Sequence, residues 1–328
     1  MKKFSTIDSH VAGEAIRLLV DGAPSVSGRT MQDKLAWMRR HSDALRRWLM
    51  LEPRGHSGMH GALLTEPVAA SPTGAHAGLL FMHAAGFPAF SGEGVIAAAT
   101  IAIENRLIHV DSDELLLDTP SGLVRARPRY VNDRIDSVTV TGVPSFVLSA
   151  GVPVQLGTRV VRLDIAFGGE FYAIVDSESM GVSIDAAHAT QLVRAALDIR
   201  NAMKASREIQ GTIFTGPARG AADLRSATVL YGEQGGTADP GVLKRSPGLA
   251  GTCALMAVLD AMGLLADDQP FTHEGVLGTM LQGRVLRRDA SNNDEPALVI
   301  PMVEASAWVT GRHEFQVDDK DRLDPFEI

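Results

Sequence analysis

The chain has 328 residues, which is long for a single hydrophobic core and predicts two domains of ordinary size. Its 31 Lys and Arg residues against 39 Asp and Glu residues give a net charge of −8, with both signs mixed along the chain. This balance argues against nucleic acid and anionic membranes as partners. The single cysteine, Cys253, excludes an internal disulfide and a cysteine-rich zinc site, and it favours a reducing compartment.

The sequence predicts neither a signal peptide nor a membrane span. Asp8 interrupts the start of the chain before an apolar region could form, so we expect no signal peptide. The longest apolar stretch, 95–103, is far shorter than a bilayer-spanning helix. We therefore expect a cytoplasmic protein with no transmembrane segment.

Short runs of β-type residues recur along the chain and are separated by Gly, Pro and Asn. They lie at 16–20, 61–65, 79–82, 115–118, 137–140, 160–165, 171–175, 212–214, 227–231 and 298–303. Segments with helical period and length lie at 30–51, 94–107, 186–204 and 252–264. Strands outnumber helices, which predicts an α+β fold rather than alternating βαβ units.

One segment occurs twice, at 91–99 and again at 248–256, an offset of 157 residues (248 − 91). Each copy is a glycine-bearing turn followed by a helix of small and apolar residues. The repetition predicts a duplicated domain, and the composition predicts that each domain is built around one buried helix. We place the first domain at 1–130 together with the tail 310–328, and the second at 131–309.

If the two domains face each other, the amino termini of both repeated helices point into one cleft. Their unpaired backbone N–H groups and dipoles would bind a small carboxylate there. The alternative is that the glycines only permit tight turns before two buried helices.

Four further segments are distinctive, at 7–17, 53–61, 167–173 and 324–326. They read Ile-Asp-Ser-His-Val-Ala-Gly-Glu followed by Arg17, Pro-Arg-Gly-His-Ser-Gly-Met-His-Gly, Phe-Gly-Gly-Glu-Phe-Tyr-Ala, and Asp-Pro-Phe. In this order they resemble the motifs of the proline racemase family, which includes hydroxyproline epimerases and trans-3-hydroxyproline dehydratases. The resemblance spans almost the whole chain. It implies the fold of diaminopimelate epimerase, in which two pseudo-symmetric domains each wrap a curved mixed sheet around a central helix, with the active site between them.

The resemblance also implies a mechanism with an acid/base group on each face of the substrate α-carbon. The family uses two cysteines for this work, because a thiol at a helix amino terminus has a lowered pKa. This chain has Ser91 at the first of these positions and Gly248 at the second. Glycine carries no side-chain proton, so two-base racemisation is disfavoured. The dehydratase branch of the family needs only one base and also lacks the second cysteine, although it normally keeps the first.

Ser91 and Glu93 form the predicted acid/base unit. Serine is a weak acid that needs an adjacent base, and Glu93, which stands where the family has histidine, is the nearest candidate. Burial could also raise the pKa of Glu93 and make it the base itself. The alternative is a solvated glutamate, or a first-turn glutamate that is favoured by the helix dipole.

The predicted substrate-binding groups are Gly92, Lys244, Gly248, Leu249 and Ala250. The backbone N–H groups of Gly92, Glu93, Leu249 and Ala250 are expected to surround the carboxylate. Lys244 replaces the aspartate that, by the resemblance, holds the nitrogen of the substrate. Either the substrate has no charged amine or Lys244 points elsewhere; an inward lysine could also act as a base, and a solvated lysine is the alternative.

The sequence thus predicts an enzyme that acts at the α-carbon of a proline-like or hydroxyproline-like carboxylate. Dehydration of trans-3-hydroxyproline, with no cofactor and no metal, fits best. The alternatives are a 4-hydroxyproline epimerase or isomerase without thiols, and an inactive paralogue that binds a small carboxylate. The sequence is compatible with a homodimer. Cys253 is interpreted as core filling, and His10, His56, His60 and His83 as structural or hydrogen-bonding residues.

Overall fold

The structure is a computed structural model that describes residues 1–68, 74–110, 112–203, 208–231, 241–265, 269–289 and 297–326. The chain folds as two units, one formed by Met1–Val140 with Ala305–Ile328 and the other by Thr141–Glu304. The domain boundaries predicted from the sequence lie within ten residues of the boundaries between these units. That the two units are functional domains stays a prediction.

The first unit is a mixed sheet with three helices among its described residues. Its strands, in chain order, are β1 (Lys2–Val11), β2 (Glu14–Asp21), β3 (Met59–Thr65), β4 (Ala77–His83), β5 (Leu115–Thr119), β6 (Gly122–Val131), β7 (Arg134–Thr141) and the late strand β17 (Ala307–Val317). Its helices are α1 (Met31–His41), α2 (Asp43–Met50) and α3 (Gly92–Glu104). The strands lie in the order β17-β1-β2-β3-β4-β5-β6-β7, parallel only at β2/β3 and β4/β5.

The second unit has the same construction. Its strands are β8 (Phe146–Leu156), β9 (Arg159–Phe167), β10 (Phe171–Asp176), β11 (Ile209–Gly216), β12 (Leu224–Leu230), β13 (Val242–Leu243), β14 (Phe271–Glu274), β15 (Met280–Asp289) and β16 (Leu298–Ala305). Its helices are α4 (Ser177–Met180), α5 (Ala189–Ala202) and α6 (Leu249–Ala261), with a 3-10 turn at Ala186–His188.

Strand pairing shows the duplication directly. The second sheet runs β8-β9-β10-β11-β12-β14-β15-β16, with β13 also paired to β12, and it is parallel only at β10/β11 and β12/β14. The eight-strand order and both parallel pairs match the first sheet. Helices α3 and α6 occupy equivalent places, and both their first and last residues differ by 157 positions. The α+β prediction and the internal repeat are therefore confirmed.

Both equivalent helices are buried along most of their length. Every residue of α3 from Gly92 to Ala102 is buried, and α6 is buried from Gly251 to Val258. The core around α6 includes sheet residues from several strands, among them Ala166, Tyr172, Ile174, Ile213 and Phe271. A helix with no polar face is stable only when other elements cover it on every side, which explains why strands surround each one.

The predicted helix at 30–51 is wrong in one respect, because the structure has two helices there. Thr30 caps α1 by accepting a hydrogen bond from the N–H of Asp33, whose carboxylate accepts one from the N–H of Thr30. The chain then leaves the helical conformation at Ser42 (φ −125°) and starts again as α2. Ser42 is a weak helix former, and no glycine or proline stands at the break.

Other differences concern the ends of elements and the polar strands. Where the sequence predicts one helix at 186–204, the structure has a 3-10 turn followed by α5. Residue 204, the last of the predicted helix, lies outside the described residues. Helix α6 starts three residues before the predicted 252. The β-type runs identified in the sequence did not include the strands β1, β6, β8, β13, β14, β15 and β17. None of the described helices is long and apolar enough to cross a membrane.

Gly168, which follows β9, lies directly against the backbone of α6. A Cβ at this position would lie 2.3 Å from both the carbonyl oxygen of Ala250 and the amide nitrogen of Ala254. No side chain fits at such a distance, so glycine is required here by close backbone approach rather than by its dihedral angles.

Gly168→Ala should therefore lower the free energy of unfolding by about 3 kcal/mol or more, because backbone must move to admit the methyl group. Gly157→Ala is the control: it has open space around it but a φ of +60°, so it should cost only about 1–2 kcal/mol. Urea denaturation followed by circular dichroism measures both. Equal losses in the two variants would contradict the proposed close packing.

Candidate active site

Ser91 is the N-cap of α3. It has an extended backbone (φ −149°, ψ 111°), and its Oγ accepts a hydrogen bond of 3.1 Å from the N–H of Gly94. This bond satisfies one of the amides that a helix leaves unpaired at its start. The hydroxyl hydrogen is not used in this bond and remains available for donation.

Glu93 lies in the first turn of α3 and is only 3% exposed. It is therefore not solvated, whereas the alternative of a first-turn glutamate favoured by the helix dipole stays open beside the catalytic one. The positive end of the helix dipole favours a carboxylate in this place. Gly92, also buried, is part of the same turn, so the structure brings Ser91, Gly92 and Glu93 together at one helix terminus.

A buried ion pair holds the opening motif of the first unit in place. The Arg17 guanidinium contacts the Asp8 carboxylate, with Nη2 at 2.8 Å from Oδ2. Its Nη1 donates to the carbonyl oxygens of Leu49, at 2.6 Å, and Arg54, at 2.7 Å. Arg17 thus joins β1 and β2 to the end of α2 and to the loop after it. The motif residues Asp8 and Arg17 have a structural role that the sequence did not reveal.

A second buried pair lies between β2 and β3. His60 Nε2 is 3.3 Å from Glu14 Oε1, and both side chains are largely covered. The ring of His60 is 6.0 Å from that of His83, its partner across the strands β3 and β4. The Nδ1 atoms of His10, His56 and His83 accept hydrogen bonds from nearby backbone amides. These four histidines therefore have the hydrogen-bonding roles expected of them.

In the second unit, Gly248 is the N-cap of α6; it has a left-handed φ of +85° and makes no side-chain cap hydrogen bond. The N–H of Gly248 donates to Ser246 Oγ at 3.2 Å, and its carbonyl oxygen accepts from Thr252 Oγ1 at 2.7 Å. Both polar groups of Gly248 are thus used within the turn. Leu249 and Ala250 supply the first amides of the helix, which have no intrahelical partner.

Lys244 lies beside this turn. It follows β13 and is 9% exposed, so the interpretation as a solvated lysine is wrong. A Cβ at Gly248 would lie 3.5 Å from the Cε and 3.6 Å from the Cδ of Lys244. The structure therefore brings Lys244, Gly248, Leu249 and Ala250 together at one helix start, with the lysine chain lining the space next to the glycine. Their roles toward a substrate stay predictions.

A series of buried hydrogen bonds supports the turn at Gly248. Thr252 Oγ1 is 2.9 Å from His273 Nδ1, and His273 Nε2 is 2.7 Å from Ser226 Oγ. Because Thr252 donates its hydroxyl hydrogen to Gly248, it must accept from His273, which fixes the proton on Nδ1 and leaves Nε2 to accept from Ser226. All three side chains are fully buried or nearly so. His273 thus connects β12, β14 and α6.

Burial lowers the pKa of His273 to about 3, because a charged imidazole would lose its hydration. The ring is therefore neutral at physiological pH and acts as a fixed hydrogen-bonding element. The sequence analysis missed this residue. The alternation of Phe271, Thr272, His273 and Glu274 offered a signal, since it places His273 on the same buried face as Phe271.

Cys253 is fully buried in the first half of α6, where its Sγ lies close to Gly142. This agrees with its interpretation as core filling. Among the described residues, the structure shows no group of three His, Cys, Asp or Glu side chains arranged to hold a metal ion.

Comparison with known proteins identifies the family to which this architecture belongs. The family model described as proline racemase matches residues 6–327. A trans-3-hydroxy-L-proline dehydratase of Bacillus cereus is 35% identical over 336 residues, covering 98% of this chain and 97% of that protein. A proline racemase of Clostridioides difficile is 32% identical over 337 residues, with the same two coverages. The chain belongs to the proline racemase family.

Similarity to solved structures identifies the fold of this chain. A hydroxyproline epimerase from Agrobacterium vitis, with trans-4-hydroxy-L-proline bound, has a TM-score of 0.82 at 26% identity, covering 97% of this chain and 94% of that chain. A PhzF-family protein of Bacillus anthracis has a TM-score of 0.61 at 8% identity, covering 97% of this chain and 100% of that one, and shares the fold alone. The predicted diaminopimelate epimerase-like fold is confirmed.

The buried His273 should make the second unit sensitive to acid. The unfolded chain protonates histidine near pH 6.5 and the folded chain only near 3, so the unfolded state binds more protons between these values. The free energy of unfolding should therefore fall by up to about 1.4 kcal/mol for each pH unit below 6.5. His273→Gln should remove that part of the slope, measured by urea denaturation from pH 6.5 to 5.

His41→Gln, which removes an exposed histidine instead of a buried one, is the control for the loss of an imidazole. Equal slopes for wild type and His273→Gln would show that His273 does not stay neutral in the folded protein.

Proposed function

We propose that this chain is an enzyme that removes the α-proton of a hydroxyproline-like carboxylate with a single base and eliminates water, as in dehydration of trans-3-hydroxyproline. The observation that carries this proposal is Gly248. It is the N-cap of α6, at the position where the family resemblance implies the second thiol, and it has no side chain to carry a proton. Similarity to trans-3-hydroxy-L-proline dehydratases supports the same reaction class.

The acid/base work is assigned to Ser91 and Glu93 at the start of α3. A negative charge that develops on Ser91 Oγ would be stabilised by the hydrogen bond from Gly94 N–H and by the positive end of the helix dipole. Glu93 is buried in the same turn, where it can act as the base or accept the serine proton.

The reaction balances without an external redox partner. The base takes the proton from the α-carbon, the electron pair forms the double bond between the α-carbon and C3, and the C3–O bond breaks. The departing hydroxide takes a proton and leaves as water. The product is a cyclic enamine carboxylate, which can tautomerise to the imine. This reaction requires only side-chain and backbone groups, so the proposal includes no cofactor.

A 4-hydroxyproline epimerase without thiols is the second candidate, favoured by the similarity to the Agrobacterium vitis epimerase structure. Epimerisation needs a proton donor on the face opposite to the base. Gly248 cannot supply one, so another group would have to do so. This requirement places epimerisation second.

The test is proton NMR in D2O with trans-3-hydroxy-L-proline, trans-4-hydroxy-L-proline and L-proline. Wild-type protein should remove the α-proton signal of the 3-hydroxy compound and produce the dehydrated product. Glu93→Gln and Ser91→Asn should each slow the reaction by at least about 100-fold. Asparagine keeps an N-cap acceptor but removes the hydroxyl, which separates chemistry from helix capping.

Glu178→Gln is the matched control, since Glu178 also lies in a first helical turn but is exposed. It should react at the wild-type rate. Exchange into the inverted isomer of the 4-hydroxy compound would favour the epimerase. Absence of exchange with all three compounds would reject an imino-acid enzyme and favour a carboxylate-binding paralogue.

A further inference from the structure

Two ionisable side chains of the first unit, Glu14 and His60, form a pair that has no part in the reaction proposed above. His60 Nε2 is 3.3 Å from Glu14 Oε1. The side chain of Glu14 is only 2% exposed and that of His60 is 15% exposed, so the carboxylate is enclosed while the imidazole keeps some access to its surroundings. An enclosed carboxylate beside a partly open imidazole is an arrangement that orients histidines for proton transfer in enzymes.

The register of the strands fixes the face of the sheet to which this pair points. Ile16 of β2 is the partner of His60 in β3. Glu14 comes two residues before Ile16, and side chains two apart in a strand share a face. His60 is in turn the partner of His83 in β4. Glu14, His60 and His83 therefore lie on one face, at the end of the sheet where β2 and β3 begin and β4 ends.

Helix α3 covers the same face, and its first turn lies at the same end. Phe81 precedes His83 by two residues and shares its face. A Cβ at Gly94, in the first turn of α3, would lie 2.9 Å from the ring of Phe81 and 3.0 Å from Ser91 Oγ. Because β4 and β5 are parallel, α3 runs back along the sheet between them, and its start lies toward the end of β4. The pair and the proposed acid/base unit thus share one face and one end of the first unit.

One ring nitrogen of His60 is not used by Glu14. The carboxylate beside Nε2 favours a proton on that atom. Among the residues that the structure describes, none makes a hydrogen bond to His60 Nδ1. Imidazole exchanges protons near neutral pH more readily than any other unperturbed side chain. His60 can therefore give or take a proton at Nδ1 while Nε2 stays beside Glu14.

We propose that His60 is a catalytic residue that donates a proton to the departing 3-hydroxyl group, and that Glu14 is the positioning residue that orients it. This inference rests on the proposed function. It adds the proton donor that the loss of water needs, since Ser91 and Glu93 take the α-proton. All four residues belong to the first unit.

The step starts with His60 protonated at both ring nitrogens and paired with the Glu14 carboxylate. The α-proton goes to the base at the start of α3, its electron pair forms the double bond between the α-carbon and C3, and the C3–O bond breaks. The departing oxygen takes the proton from His60 Nδ1 and leaves as water. His60 is then a neutral imidazole and regains a proton from solvent, while the base returns its own proton to solvent.

This assignment makes the effect of His60 depend on the leaving group. Hydroxide needs a proton to depart, whereas fluoride is a weak base and departs with far less assistance. His60→Gln should eliminate water from trans-3-hydroxy-L-proline at least about 100-fold more slowly than wild type. It should lose less than about tenfold in fluoride release from trans-3-fluoro-L-proline. Glutamine keeps a side-chain N–H for Glu14 but is no proton donor.

Proton NMR measures the dehydrated product, a fluoride electrode measures fluoride release, and thermal melting confirms that each variant is folded. His41→Gln, the same substitution at an exposed histidine, is the matched control and should act on both compounds at the wild-type rate. Glu14→Gln keeps an oxygen near Nε2 of His60 but removes the negative charge. It should slow the loss of water by at least about tenfold and leave fluoride release close to wild type.

Two results would overturn the inference: loss of water at the wild-type rate in His60→Gln, or equal losses with both leaving groups in a folded variant. Equal losses would assign His60 to α-proton removal or to the structure of the sheet end. A wild-type protein that acts on neither compound would instead reject the proposed function, and this inference with it.

Discussion

The structure of each unit depends on burying one helix that has no polar face. Because α3 and α6 are apolar around most of their circumference, the strands must cover them on all sides. The helix starts are then the points where polar groups are gathered, since the first amides of a helix need partners. Ser91 supplies one partner at α3, and the 246–248 turn, supported by Thr252 and His273, shapes the start of α6. The burial of one apolar helix in each unit therefore also brings the candidate site residues of that unit to the start of its helix.

The parts of the fold that could be predicted are those whose signal lies in local sequence. The repeated segment predicted the two buried helices and their offset of 157 residues, because a run of small and apolar residues after a glycine turn is typical of a buried helix. Buried strands such as β4 and β10 were found from their runs of apolar residues. The motif resemblance gave the family and the fold, which the comparisons confirmed.

The parts that could not be predicted depend on tertiary contacts. Strand β17 is exposed along most of its length and lacks an apolar alternation, and its position is set by pairing with β1. The break at Ser42 has no glycine or proline to mark it. The sequence left the orientation of Lys244 open, since nothing local shows that its chain lies against Gly248. The sequence likewise left open whether the side chain of Glu93 is solvated, and in the structure it is buried.

The left-handed backbone of Gly248 also bears on how this chain relates to members of its family with two thiols. Any L side chain at 248 would be strained at φ +85°, and its Cβ would lie in ordinary van der Waals contact with the chain of Lys244. A cysteine could enter this position without strain only if the turn from 244 to 248 were rebuilt at the same time. A thiol introduced by Gly248→Cys alone would therefore stand on a strained backbone, whatever chemistry it could perform.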